Sequence, residues 1–283
     1  PLYYSIVDFS GGTGEIESLN NLLSNDNYAD GIETVRNPGT NNYWFIAYKC
    51  SLGFDVFEIN SAGIQLKSIL PFNIDNATID FQYSEQKNGE LDYHNGKIAF
   101  TSRVDGNVAV FDFNPISGSA SNAFKINSVA LPDGTLDDLS WPFGLEFSPD
   151  ASKLYISRYG GLPTNSPHPY KLYRYDFNTE ILTGYELQDI SPNGLGQIEI
   201  GPDGSLYSPV NEEKSIFKIE NPNDVNFTYS LLPTNLKLGK HMSDHIQSDF
   251  FSLPLTIESE ITNTTCSYSD DGQGAVFVSG GQE

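Results

Sequence analysis

Cysteine, histidine and basic side chains are scarce in this sequence: 283 residues include two Cys, four His and 15 Lys or Arg. Cys50 and Cys266 fall in differently organised parts of the chain and neither stands in a Cys-x-x-Cys pair, so two separate thiols are expected rather than a disulfide, a zinc site or a redox pair. Against the few cations stand 37 Asp or Glu, for a net charge of -22 at pH 7. A field of that sign repels phosphate backbones and anionic lipid surfaces, which argues against nucleic acid as a partner and leaves cations, cationic proteins and neutral polysaccharides. Long apolar runs are missing too, and no membrane-spanning helix is expected. Gly-x-Ser-x-Gly, P-loop and dinucleotide fingerprints do not occur, so the chain is expected not to be an enzyme and no catalytic residue is assigned.

What the chain does have is aromatics and turn formers arranged in a repeat. Residues 143–177 read as strand, Pro-Asp turn, strand, loop, strand: the turn Ser-Pro-Asp-Ala-Ser presets φ at Pro149 and lets Asp150 bond its own backbone. In the last strand Leu172, Arg174 and Asp176 alternate with Tyr173, Tyr175 and Phe177, the period-two pattern of a half-buried strand. The plan returns as GQIEIGPDGSLYSPV with SIFKIEN, as GELDYHNGKIAFTSR with NVAVFDF, and as GIETVRNPGTNNYWFIAYKC with FDVFEIN. An aromatic follows Gly89, Gly144 and Gly196 eleven residues on (Phe100, Tyr155, Tyr207), and Phe45 takes that place in the remaining copy if its turn is three residues longer. The openings at Gly31, Gly89, Gly144 and Gly196 are 58, 55 and 52 residues apart. Repeats of that length built from short strands predict an all-β fold, a propeller of four-stranded antiparallel blades; a solenoid repeat is shorter, and a sandwich would not keep the constant offset.

The opening residues match a third strand, since Ile6-Val7-Asp8-Phe9 aligns with Val110-Phe111-Asp112-Phe113 and with Arg174-Tyr175-Asp176-Phe177. Residues 3–9 are therefore expected to begin inside a partial blade, with 15–23 as its outer strand and four full blades after it. A strand at 245–251, HIQSDFF, is expected to complete the sheet that 3–9 begins and so remove an open edge. Residues 1–251 read as the propeller, 252–262 as a linker, and 263–283 as the start of a truncated Ig-like β segment with too few strands for a core. The chain begins at Pro1 and reads as a piece of a longer protein.

His94 sits in the turn Tyr93-His94-Asn95-Gly96 and is expected in solvent. His241 and His245 have HxxxH spacing, but the context is loop to strand and the Glu of a zinc hydrolase helix is missing, so no metal site is assigned. Acidic turns at 133–138 and 270–272 lack alternating ligand spacing; turn chemistry accounts for them, and Ca²⁺ is the one cofactor they leave open. The ligand-binding candidates are Arg103, Trp141, Arg158, Tyr159, His168 and Lys214, on the rim loops between blades or between second and third strands, because aromatics and Arg anchor ligands and interfaces. Packing of Trp141 between blades and neutralisation of carboxylates by the arginines are the competing roles.

YSIVDFSGGTGEI, GLEFSPDASKLYISRY, GQIEIGPDGSLY, KIENPNDVNFTY and HIQSDFF resemble the propeller domains of Bacteroidota surface proteins exported by the type IX system. TCSYSDDGQGAVFVSGG resembles the opening of an SprB-type repeat, the Ig-like module of gliding-motility adhesins. The resemblance implies a parent propeller of six or seven blades, an Ig-like stalk, secretion to the cell surface outside the outer membrane, and type IX components as partners. It also implies a non-catalytic adhesin module for attachment or gliding, binding extracellular polysaccharide or another surface protein. A lactonase-like or glycan-cleaving propeller hydrolase is the alternative. One departure is His241-Met242-Ser243-Asp244, where the closing segment of such proteins carries Gly-Leu-Pro.

Overall fold

The computed structural model describes residues 1–49, 53–70, 73–74, 77–78, 90–102, 107–126, 128–130, 136–139, 141–158, 172–187, 190, 194–235, 238, 256–262 and 273–279. No helix occurs among them. The chain divides into two compact units, Pro1–Ile246 and Gln247–Glu283.

In the first unit β1 (Leu2–Asp8) pairs antiparallel with β2 (Glu15–Ser24). The first blade follows as β3 (Tyr28–Arg36), β4 (Tyr43–Lys49), β5 (Gly53–Asn60) and β6 (Gly63–Leu70). A short hairpin, β7 (Asn73–Ile74) and β8 (Ala77–Thr78), leads to the second blade: β9 (Leu91–His94), β10 (Lys97–Ser102), β11 (Asn107–Asn114) and β12 (Ser119–Ile126). A second hairpin, β13 (Ser128–Ala130) and β14 (Leu136–Asp138), precedes the third blade: β15 (Pro142–Phe147), β16 (Lys153–Arg158), β17 (Leu172–Asp176) and β18 (Ile181–Tyr185). The fourth blade is β19 (Glu199–Ile200), β20 (Leu206–Pro209), β21 (Ser215–Glu220) and β22 (Thr228–Pro233). Each blade is an antiparallel meander in chain order, as the repeat predicts.

Alternate residues of one strand serve different neighbours, and this makes the fold a propeller. On β10, Ile98 and Phe100 pack towards the first blade while Ala99 packs towards the third. On β16, Leu154 and Ile156 face the second blade and Tyr155 the fourth. The second and third sheets are thus covered on both faces by other sheets, so their inner strands read as continuous buried runs: all six residues of β15 and all six of β16 are buried. Each large side chain enclosed this way contributes about 1.5–3 kcal/mol, and the core is a series of slabs between blades. Leu2 and Leu23 of the β1–β2 pair pack on the outer face of the first blade, with Tyr28, Ala47 and Phe57.

The turns form as their residues dictate. Asp150 Oδ1 accepts the Ser152 N–H at 3.0 Å and the Ala151 N–H returns to the Ser148 carbonyl at 2.7 Å. Gly201-Pro202-Asp203-Gly204 repeats this, with Ser205 N–H on Asp203 Oδ1 at 3.1 Å. The last turn residue has φ of +55° at Ala151 and +73° at Gly204, so the third blade holds a side chain where the fourth holds glycine. Gly144 is required for a different reason: a Cβ there would lie 2.6 Å from both Gln197 Cα and the Gly196 carbonyl oxygen.

The predicted aromatic position is correct in two blades and off by one in the others. Tyr155 lies opposite Glu146 and Tyr207 opposite Glu199, both facing onward. In the second blade Ala99 holds the equivalent place opposite Asp92, and Phe100, one residue further, faces the preceding blade. In the first blade Ile46 lies opposite Glu33, and Phe45 likewise faces backward. A one-residue slip turns a strand's side chain to the other face.

The loop between β21 and β22 is clasped by the third blade. Lys153 Nζ donates to the Asn223 carbonyl at 2.5 Å, Tyr155 Oη to that of Pro222 at 2.8 Å, and Arg174 Nη1 to that of Val225. In the second unit β23 (Thr256–Thr262) pairs antiparallel with β24 (Gln273–Ser279). The expected closing strand at 245–251, both cysteines and the acidic turn at 270–272 lie outside the described residues.

Candidate functional site

One carboxylate per blade occupies the same place on each innermost strand: Glu33, Asp92, Glu146 and Glu199. Glu33, Asp92 and Glu146 each reach the following blade's inner strand, whose channel-side edge has backbone donors that no strand within its own sheet can satisfy. Glu33 Oε2 accepts the Tyr93 N–H at 3.1 Å, Asp92 Oδ2 that of Phe147 at 3.0 Å, and Glu146 Oε2 that of Ile200 at 3.1 Å. Glu90 adds a second bond, accepting the Leu145 N–H. Hydroxyls reinforce the same seams: Thr101 Oγ1 accepts the Glu90 N–H and donates to the Phe143 carbonyl at 2.6 Å, while Ser157 Oγ accepts the Gly144 N–H and donates to the Gly196 carbonyl at 2.5 Å.

Glu90, Asp92, Glu146 and Glu199 are buried close together, so ionising all of them is costly. Asp92 is 9% exposed and Glu146 4%. Burial, then the negative charges of Asp92, Glu199 and Glu90, pushes Glu146 well above the ordinary glutamate range; burial also raises Asp92, against the N–H of Phe147 and the nearby His94. As a carboxylate, Glu146 Oε1 has no hydrogen-bond partner, but protonated it can donate to Asp92 beside it. One proton shared by the pair removes the repulsion and satisfies that oxygen. Among the described residues no three His, Cys, Asp or Glu converge closely enough to hold a metal ion.

The glycine–aromatic spacing does not single out these acids. Their signal is an acidic residue two or three positions after each blade glycine, in GIE, GELD, GLE and GQIE, and the glycine–aromatic alignment obscured it. Of the six predicted ligand-binding residues, Arg103, Tyr159 and His168 lie outside the described residues. Trp141, 39% exposed with φ of +51°, leads into β15, and Arg158 ends β16 beside it, Pro142 pairing with Arg158. Lys214 is exposed in the β20–β21 turn at the corresponding end of the fourth blade. Arg158 is only 1% exposed, so it is a buried strand-end residue and not an open rim contact. His94 is half-buried and not a free turn residue: its ring stacks on Phe147 at 6.3 Å and Nε2 lies 3.0 Å from the Pro149 carbonyl, which places a ring proton on Nε2. Asp137 and Asp138 of the first acidic turn are ladder residues of β14, paired with Val129 and Ser128.

No family model matches the chain, and neither does any curated protein. Solved structures of similar shape include virginiamycin B lyase from Staphylococcus aureus, at 18% identity over 76% of this chain and 59% of that one, with a TM-score of 0.46. TolB from Acinetobacter baumannii is 17% identical over 81% of this chain and 48% of its own, with a TM-score of 0.42. A functionally unknown protein from Desulfotomaculum acetoxidans is 15% identical over 83% and 64%, with a TM-score of 0.45. The chain thus spans less than two thirds of the length of each. Likeness this distant leaves function to be argued from the residues.

Proposed function

We propose that this chain is a non-catalytic β-propeller module of a secreted cell-surface adhesin, serving attachment or gliding motility through extracellular polysaccharide or another surface protein. The supporting observation is how the axial acids are used: Glu33, Asp92 and Glu146 each commit an oxygen to a backbone N–H of the next blade, so the groups that could serve as acid, base or nucleophile act as seams between blades. The cell-surface setting rests on the resemblance to type IX-exported propellers and SprB-type repeats, and the charge of -22 favours neutral over anionic polymers. Retention of the full chain on immobilised neutral polysaccharides, with no turnover of ester, lactone or glycoside substrates, is the expected result. Turnover abolished by a single substitution overturns the proposal.

One observation favours a hydrolase instead. A carboxylic acid held protonated beside an ionised carboxylate is the pair that glycoside cleavage uses. Asp92 and Glu146 have that electrostatic character, but both are buried, which leaves substrate no approach to them.

A further inference from the structure

We infer that the cleft between the outer strands of the third and fourth blades is a binding site for a single neutral pyranose unit of a polysaccharide; this rests on the adhesin reading and gives it a location. The cavity measures about 350 Å³, at the lower end of the roughly 300–1,000 Å³ typical of small-molecule sites. Arg174, Tyr185 and Glu186 of the third blade line one side, and Asn226, Phe227 and Tyr229 of the fourth line the other.

The chemistry of the walls selects the ligand. Arg174 is 93% buried, being 7% exposed, and its Nε has no hydrogen-bond partner. Its guanidinium lies over two rings instead, 5.5 Å from the centroid of Tyr185 and 5.8 Å from that of Phe227, so its charge is already matched by their π-faces. Glu186 is exposed at the same cleft and the whole surface is acidic, so the site disfavours an anion despite its arginine. What remains on offer is aromatic surface with a few polar groups. Tyr229 is 38% exposed, and the ring is braced from behind by Phe217 at 5.1 Å. A rigid, half-exposed ring suits the C–H face of a sugar, while the Asn226 amide can both donate to and accept from hydroxyls and Glu186 can accept from them. The loop holding Asn226 is pinned by Lys153 and Tyr155, so the site is formed before a ligand arrives.

Saturation-transfer NMR and calorimetry with the full chain test this, using methyl β-glucopyranoside, methyl α-mannopyranoside, methyl β-galactopyranoside and, as the charged comparator, methyl β-glucuronide. At least one neutral glycoside is expected to bind with Kd on the order of 1 mM, as befits one sugar ring, and more tightly than the glucuronide. Tyr229→Ala should weaken it tenfold or more, whereas Tyr229→Phe, which keeps the ring and the contact with Phe217, should change it less than threefold. No binding of any neutral glycoside, tighter binding of the glucuronide, or equal affinity in a folded Tyr229→Ala variant overturns the inference. Retention on immobilised polysaccharide separates the two readings: if wild type and Tyr229→Ala are retained equally, the adhesin reading stands and this site is wrong.

Discussion

Replacing Glu146 by glutamine separates the two jobs of the axial acids, because the amide oxygen can still accept the Ile200 N–H while the ionisable group disappears. The wild-type group has a folded-state pKa well above 4.5, through burial and the charges of Asp92, Glu199 and Glu90. A raised pKa means the folded state binds the proton more tightly than the unfolded state. Its stabilising contribution is therefore fully present below pH 4.5 and is lost as pH rises through the folded value. Asp92, raised from 3.8 mainly by burial, works in the same direction. Each unit of upward shift corresponds to about 1.4 kcal/mol of stability lost by neutral pH. Glu146→Gln removes that loss and lets the amide N–H donate to Asp92, so the variant should be more stable than wild type at pH 8 and show a higher Tm there. Its stability should also fall less steeply between pH 5 and 8. Glu146→Ala also lacks the ionisable group but leaves the Ile200 N–H without its partner, so it should be less stable than Glu146→Gln by about 1–3 kcal/mol at every pH. Chemical denaturation of the three proteins across pH 4–9 measures all of this. If Glu146→Gln is as destabilising at pH 8 as Glu146→Ala, Glu146 is an ionised and compensated carboxylate, and the shared-proton account is wrong.

Gly144→Ala places a methyl group against the backbone of residues 196–198 and should destabilise by about 1–3 kcal/mol, which thermal denaturation reads; a change under a few tenths would show that the third and fourth blades are not in that contact. Tyr155→Phe removes the bond to the Pro222 carbonyl and should cost about 0.5–1.5 kcal/mol, accompanied by faster amide exchange in residues 221–226. Ala151→Gly relieves a left-handed alanine and should raise stability by up to about 1 kcal/mol; loss of stability instead would mean that Ala151 does not hold its φ of +55° in solution.

Blade order, the Pro-Asp turns and the β1–β2 pair were legible because they depend on neighbours close in sequence: Asp150 bonds Ser152, and Tyr175 alternates with Arg174. Contacts across blades were not legible. Glu146 meets Ile200 and Thr101 meets Phe143 over 54 and 42 residues, and nothing local at either end shows which face a strand turns to its neighbour. Ala99 and Phe100 show why: Asp92 stands three residues after its glycine where Glu146 stands two, and the turn before β10 is two residues shorter than the one before β16, so equal counting from the glycine misses by one and lands on the opposite face. Arg158 and His94 adjoin loops and so suggest exposure, yet Arg158 is buried and His94 is half-buried against the third blade, which no count along the chain reveals. Arg174 was read only as one member of an alternating strand; its place beside Tyr185 and Phe227 depends on how the β21–β22 loop folds back across the seam.

The most direct test of the account is to pass the full chain over immobilised neutral polysaccharides while assaying the same preparation for release of sugar, acid or lactone-opening product. Retention with no product above the level of buffer alone, unchanged in Glu146→Gln, is the predicted result. Product formation by wild type that disappears in Glu146→Gln would contradict the account, because the axial acids would then be chemical groups and not ties between blades.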